Sequence, residues 1–204
     1  MIGQPAKSEI EWVHQFLIVL QETDPLVWRR IEVPDDYSFW DLHVAIQDAM
    51  GWTDSHLHEF AVVHSKSGRL ERLGIPDDND EDARRPDWKF RLSEYLGRDS
   101  PPMAYLYDFG DSWDHAVVHE GRVPVKPSVQ YPRCVSGARK CPPEDCGGTR
   151  GYREFLEAIG DPEHGEHERL LVWVGGAFDP DTFDPARVVF DDPQERWENA
   201  FTRD

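Results

Sequence analysis

Residues 10–52, IEWVHQFLIVLQETDPLVWRRIEVPDDYSFWDLHVAIQDAMGW, decide how the rest of the chain is read. Two runs, 10–20 and 26–33, are dominated by β-branched and aromatic side chains, which suit a pleated, half-buried surface. Glu22-Thr23-Asp24-Pro25 separates them and is short enough to close a hairpin, with Val27, Arg29, Ile31 and Val33 on one face and Trp28 and Arg30 on the other. The period then changes. Phe39, Leu42, Ile46, Ala49 and Met50 recur at spacings of three and four, which predicts a helix over 39–50. Ser38 is placed to cap its N-terminus, Asp41 lies in the first turn, and Gly51 tolerates the positive φ of a helix end.

Working outward, residues 56–63 (HLHEFAVV) predict a third strand, and 104–109 (AYLYDF) with 113–119 (WDHAVVH) predict a second hairpin around Gly110-Asp111-Ser112. Residues 64–104 carry the least pattern. An acidic run at 77–82 (DDNDED) predicts a flexible solvated loop over about 76–86, and it lacks the spacing of a calcium loop. Residues 88–96 suggest a strand leading into one helical turn, whereas 131–151 read as a Pro/Gly/Cys loop before a helix over 152–159. The run 170–174 (LLVWV) fits a strand or a helix end equally, and Trp197 with Phe201 suggests a short final helix. Strands and helices do not alternate regularly, so the fold class is α+β: one domain over 1–204, a mixed or antiparallel sheet with a few packed helices.

The 204 residues carry 22 Lys and Arg against 40 Asp and Glu, a net charge of −18. That field repels phosphate backbones and anionic headgroups, so sequence-independent binding to nucleic acid or membrane is not expected. No apolar run approaches the roughly 18 residues of a membrane span. No secretion leader precedes the first strand, and three cysteines within 134–146 do not form a secreted disulfide framework, so a cytoplasmic location is expected.

Three segments carry chemistry-bearing residues. In residues 52–60 (WTDSHLHEF), His56 and His58 alternate on a strand and would share one face, with Glu59 beside them and His43 on the helix as a further ligand for zinc or another divalent metal. The competing account is structural, with Leu57 in the core and both imidazoles on a polar face. In residues 105–115, Asp108, Asp111, Trp113 and His115 crowd a turn; they could bind a cation, orient His115 as a base, or simply make the turn. Cys134, Cys141 and Cys146 follow as C-x6-C-x4-C, which could hold a structural zinc with one outside ligand, present a thiol whose pKa Lys140 lowers, or fill a shaped loop. P-loop, dinucleotide-binding, nucleophile-elbow and zincin signatures are absent.

At these segments the chain resembles the plasmid pRiA4b ORF-3-like proteins. The matching stretches are 39–52 (FWDLHVAIQDAMGW), 56–60 (HLHEF), 107–115 (YDFGDSWDH), 141–148 (CPPEDCGG), Gly151-Tyr152 and 178–184 (FDPDTFD), spread over about residues 10 to 190. The resemblance implies one α+β domain of bacteria and archaea, often encoded beside mobile elements and sometimes labelled resolvase-like or transposon passenger, with no established activity. The residues themselves give the resolvase label no support, since neither a serine set among arginines nor a basic recognition helix is present. The expectation is a non-enzymatic module that binds a small ligand or a protein with a basic surface; the alternative is a metal-dependent hydrolase or nuclease using His56, His58, Asp108, Asp111 and His115.

Overall fold

The computed structural model describes residues 10–76 and 84–201; the acidic run 77–82 lies outside them. The expected hairpin is β1 (Trp12–Leu20) and β2 (Val27–Pro34), antiparallel with Phe16 opposite Ile31 and Val19 opposite Trp28. Val27, Arg29, Ile31 and Val33 are all buried, as their shared face requires. Strands β3 (His58–Val63), β4 (Leu70–Gly74), β5 (Arg85–Pro86), β6 (Met103–Tyr107), β7 (Trp113–Pro124) and β8 (Arg133–Ala138) complete an eight-stranded sheet ordered β5-β4-β3-β6-β7-β1-β2-β8. It is antiparallel except for the β4–β5 pair, which makes the α+β sheet mixed.

Helix α1 (Phe39–Met50) has the predicted bounds. Ser38 and Asp41 form a reciprocal capping box, and Gly51 ends the helix at φ 89°. Ten of its twelve residues are buried, more than one sheet face can cover. The other face is closed by α5 (Pro193–Phe201): Trp40 donates from Nε1 to the Pro193 carbonyl at 3.0 Å and meets the Phe201 ring edge-on at 5.7 Å. Toward the sheet, Arg29 reaches from β2 to donate to the Ala49, Trp28 and Ala138 carbonyls, its guanidinium 3.6 Å over the Phe183 ring.

Four local expectations are corrected. The patternless region contains β4, and Arg85–Pro86, at the end of the expected loop, pairs with it. The Cys segment begins with β8, which closes the sheet against β2. The following helix, α3 (Gly148–Gly160), starts before 152, on Gly147 at φ 92°. The apolar run 170–174, which fits a strand or a helix end, is the latter, lying mostly in α4 (His167–Trp173). Of the strand and helical turn expected over 88–96, the turn is α2 (Leu92–Tyr95), whereas Asp87–Lys89 forms a single 3-10 turn where the strand was expected.

Candidate functional site

The three motif segments meet where β3 begins, β6 ends and the chain enters α3. Tyr107, the last residue of β6, is the post around which they gather. Its hydroxyl accepts the Ser55 N–H at 3.0 Å and donates to Glu144 Oε1 at 2.6 Å. Glu144 also accepts from the Thr53 N–H and hydroxyl, and Trp52 donates to the Pro142 carbonyl at 3.0 Å. From the turn, Asp111 Oδ2 accepts the Gly147 N–H at 3.0 Å and ties the 108–112 loop to the start of α3. Gly148, at φ 67°, is required there, because a Cβ would stand 2.4 Å from the Asp111 carbonyl oxygen.

At this junction His56, Asp108 and Asp145 each offer a ligand atom within 4.8 Å of the others. Nε2 of His56 lies 3.0 Å from Asp145 Oδ1 and 3.6 Å from Asp108 Oδ2. It is shielded from solvent, yet neither carboxylate stands where it completes a hydrogen bond to it. Asp108 divides its labour: Oδ1 accepts the Gly110 and Asp111 N–H groups at 2.9 and 3.3 Å, which leaves Oδ2 for the cluster. Asp108 and Asp145 both sit at φ 56°, a conformation that Asp adopts more readily than most residues. The Asp145 side chain is 71% exposed, so the cluster opens outward.

The expected His56/His58 pair is divided. The strand begins at His58, whose side chain turns into the core, while His56 stays in the preceding bend and Leu57 is 46% exposed. His58 is bonded through Nε2 to Asp87 Oδ2 at 2.7 Å and stacked on His43 at 3.5 Å, the rings 8° from parallel. His43 is no ligand of the cluster. Its Nε2 meets Asp54 at 2.8 Å and its Nδ1 meets the Tyr105 hydroxyl at 2.8 Å, which in turn accepts from Gln47 at 2.9 Å. Those contacts fix a neutral tautomer, with Nε2–H donating to Asp54 and Tyr105 donating to Nδ1. Burial, then the nearby His58, lowers the His43 pKa to about 4. Burial would raise the Asp54 carboxyl, but His43 beside it holds it below its ordinary value.

His115, expected as a base, is buried in the sheet and donates from Nδ1 to the Trp113 carbonyl at 2.9 Å; burial lowers its pKa to about 4. Trp113 is a core residue, wholly buried and 5.8 Å from Trp52. Glu59 faces Arg72 at 3.6 Å on the sheet surface. Among the described residues Cys134, Cys141 and Cys146 join no group of metal-ligand geometry and form no disulfide. Cys134 stands opposite Ile31 in the β2–β8 pair. Burial pushes the Cys141 and Cys134 thiols up and Cys146 to about 12, the opposite of the activated thiol that Lys140 suggested.

Of the three side chains that gather here, the sequence motifs single out His56 and Asp108 but not Asp145, although Asp145 lies inside the quoted CPPEDCGG stretch. The motifs do not single out the part-buried Asp54 or the buried Asp87 either. They stand in segments whose role is set only by what packs over them.

The comparisons agree with this architecture. An uncharacterized protein of Sinorhizobium fredii (strain NBRC 101917 / NGR234), y4hQ, is 37% identical over 188 residues, covering 88% of this chain and 91% of its own. The crystal structure of a protein of unknown function, MM3350 of Methanosarcina mazei Go1, superposes with a TM-score of 0.83 at 42% identity, covering 89% of this chain and 99% of that one. The family model described as plasmid pRiA4b ORF-3-like protein matches residues 12–187 and so spans every segment of the junction, and the chain belongs to that family.

Proposed function

We propose that this protein is a binding module that holds a divalent cation, zinc or manganese, at His56, Asp108 and Asp145. The observation that carries the reading is the spacing around His56 Nε2. Ligands at about 2.1 Å on a tetrahedral ion stand about 3.4 Å apart. The two carboxylate oxygens lie at 3.0 and 3.6 Å from Nε2 without hydrogen-bonding to it, which supports three donors facing a common point. Three protein ligands leave a fourth position for water or an incoming donor.

Binding is favoured over hydrolysis by the surrounding carboxylates. A free carboxylate beside a metal-bound water would assist its attack as a general base. Glu144 is committed to Tyr107 and Thr53, and Asp111 to the Gly147 N–H. The acid-rich surface, with a net charge of −18, supports a basic protein as the partner.

The test is elemental analysis of purified, untagged protein by plasma mass spectrometry after reloading with zinc or manganese and desalting. One equivalent is expected, lost in His56→Ala and in Asp108→Asn, the latter keeping the turn because an amide oxygen still accepts the Gly110 N–H. Less than roughly a tenth of an equivalent in the unaltered protein refutes the site.

A further inference from the structure

Beside the junction, α3 and α4 enclose a groove of about 590 Å³ whose mouth is shared with Asp145. Its apolar lining is the buried Phe155 and Ala158 together with Leu170 and Trp173. Its lining also carries Asp145, Glu154, Glu157 and Glu166 against one guanidinium, Arg169, and the His164 imidazole. Helix α4 has the sequence HERLLVW and buries none of its residues; Val172 is 77% and Trp173 44% exposed. Val172 and Trp173 are exposed and Leu170 and Leu171 only partly covered, an apolar stretch of the kind that marks a contact site on a monomer surface. Two lining carboxylates hold ion pairs on their own helices, Arg150 with Glu154 and Arg169 with Glu166. Every partner in those pairs is more than half exposed, so they contribute little and exchange readily for an incoming cation.

We infer that this groove seats a peptide segment of a partner protein in which large apolar residues are flanked by Lys or Arg. The apolar lining would bury the anchor side chains, and Glu154, Glu157 and Glu166 would receive the flanking charges, Asp145 being held at the cation. An acidic lining around an exposed Trp selects against an acidic or purely apolar occupant, including the acidic surface of a second copy. The inference deepens the proposed function by naming its partner, and it rests on that reading only through Asp145, which cation and groove share.

The probe is a short fluorescein-labelled peptide, Lys-Arg-Leu-Trp-Leu-Arg-Lys, titrated against full-length protein by anisotropy, alongside one peptide with Ser for the three apolar residues and one with Glu for the four basic ones. Saturable binding of the first is expected, weakened at least tenfold by either peptide change, by Trp173→Ala, and by the pair Glu154→Lys with Glu157→Lys. The pair Glu11→Lys with Glu195→Lys alters the net charge equally at exposed sites off the groove, and should weaken binding less than threefold. Titrations of His56→Ala protein in EDTA separate the two readings, because the groove should still bind with the cation site destroyed. Equal weakening by both charge-reversed pairs, no weakening by Trp173→Ala, or a protein dimer that Trp173→Ala dissociates would each overturn the assignment.

Discussion

Lowering the pH from 7.5 to 5 is expected to strip away a large part of this protein's stability, because three imidazoles are held neutral inside it. His14, His43 and His115 are at most 2% exposed, and burial, aided by His119 at His14 and by His58 at His43, brings each pKa from 6.5 to about 4. The local geometry agrees for His115, whose Nε2 faces no acceptor, and for His43, whose Nδ1 accepts from Tyr105. Below pH 6.5 the unfolded chain binds these protons and the folded chain does not, so stability falls as pH falls, through a window from 6.5 down to about 4. Each group costs about 1.4 kcal/mol per pH unit in that window, or about 2 kcal/mol at pH 5. All three cost about 6 kcal/mol, against the 5–15 kcal/mol that holds a typical domain together. Asp41 and Asp48, raised by burial, act with the opposite sign and soften the slope only toward its acid end. Urea denaturation followed by tryptophan fluorescence at pH 7.5, 6.5, 5.5 and 5 measures the loss, and His115→Gln should recover about a third of it. An unfolding free energy constant to within about 1 kcal/mol over that range, or a slope untouched by His115→Gln, would refute the reasoning.

Other perturbations test the frame around the site. Tyr105→Phe deletes the hydroxyl that joins Gln47 to His43 and strands both buried groups, which should cost about 1–3 kcal/mol in the same denaturation assay. Arg29→Met keeps an apolar stem but removes the donors to three carbonyls and the stack on Phe183; a loss of about 2–4 kcal/mol is expected, and none at all would show that those carbonyls are satisfied without it. Gly151→Ala places a methyl group 1.9 Å from the Cys146 carbonyl oxygen, so the loop carrying Asp145 must move. It should destabilise by about 1–3 kcal/mol and weaken zinc retention, whereas unchanged retention on desalting would separate Asp145 from the cation.

What could be read from the sequence is what local chemistry determines. Ser38, Asp41 and Gly51 specify both ends of α1 within its own fourteen-residue neighbourhood, and the alternation of Val27, Arg29, Ile31 and Val33 needs only the next strand to be realised. Strand β8 escaped because its Cys134-Val135-Ser136-Gly137-Ala138 run has small side chains chosen for their neighbours. A Cβ at Gly137 would stand 2.5 Å from the Phe183 ring and 2.8 Å from the Trp28 carbonyl oxygen, a constraint visible only once the tail crosses over β2. The two histidines were misjudged for a related reason. Phe60 and Val62 do set the phase that turns His58 inward, but the chain bends at His56 because Ser55 is bonded to the Tyr107 hydroxyl, a residue far along the sequence.

The site shows the same division in its carboxylates. Asp, Gly and Pro make turns and also gather around ions, so a stretch such as YDFGDSWDH supports both readings until each oxygen is assigned. Asp111 goes to the start of α3, one oxygen of Asp108 goes to its own turn, and Asp87 disappears beneath His58. What remains is one oxygen of Asp108, facing an imidazole nitrogen that completes no hydrogen bond, with Asp145 brought alongside by β8 and the loop after it. Strand β8, at the sheet edge in a segment whose Pro, Gly and Cys content predicts a loop, is therefore what assembles the junction: it returns the chain to β2, and the next residues deliver Cys141 to the core and Asp145 to His56. Shifting that strand's register by one residue would invert which side chains face β2's core face and would carry Asp145 away from His56. Substitutions in β8 far from the cluster, such as Gly137→Val, should thus abolish cation binding before they unfold the sheet.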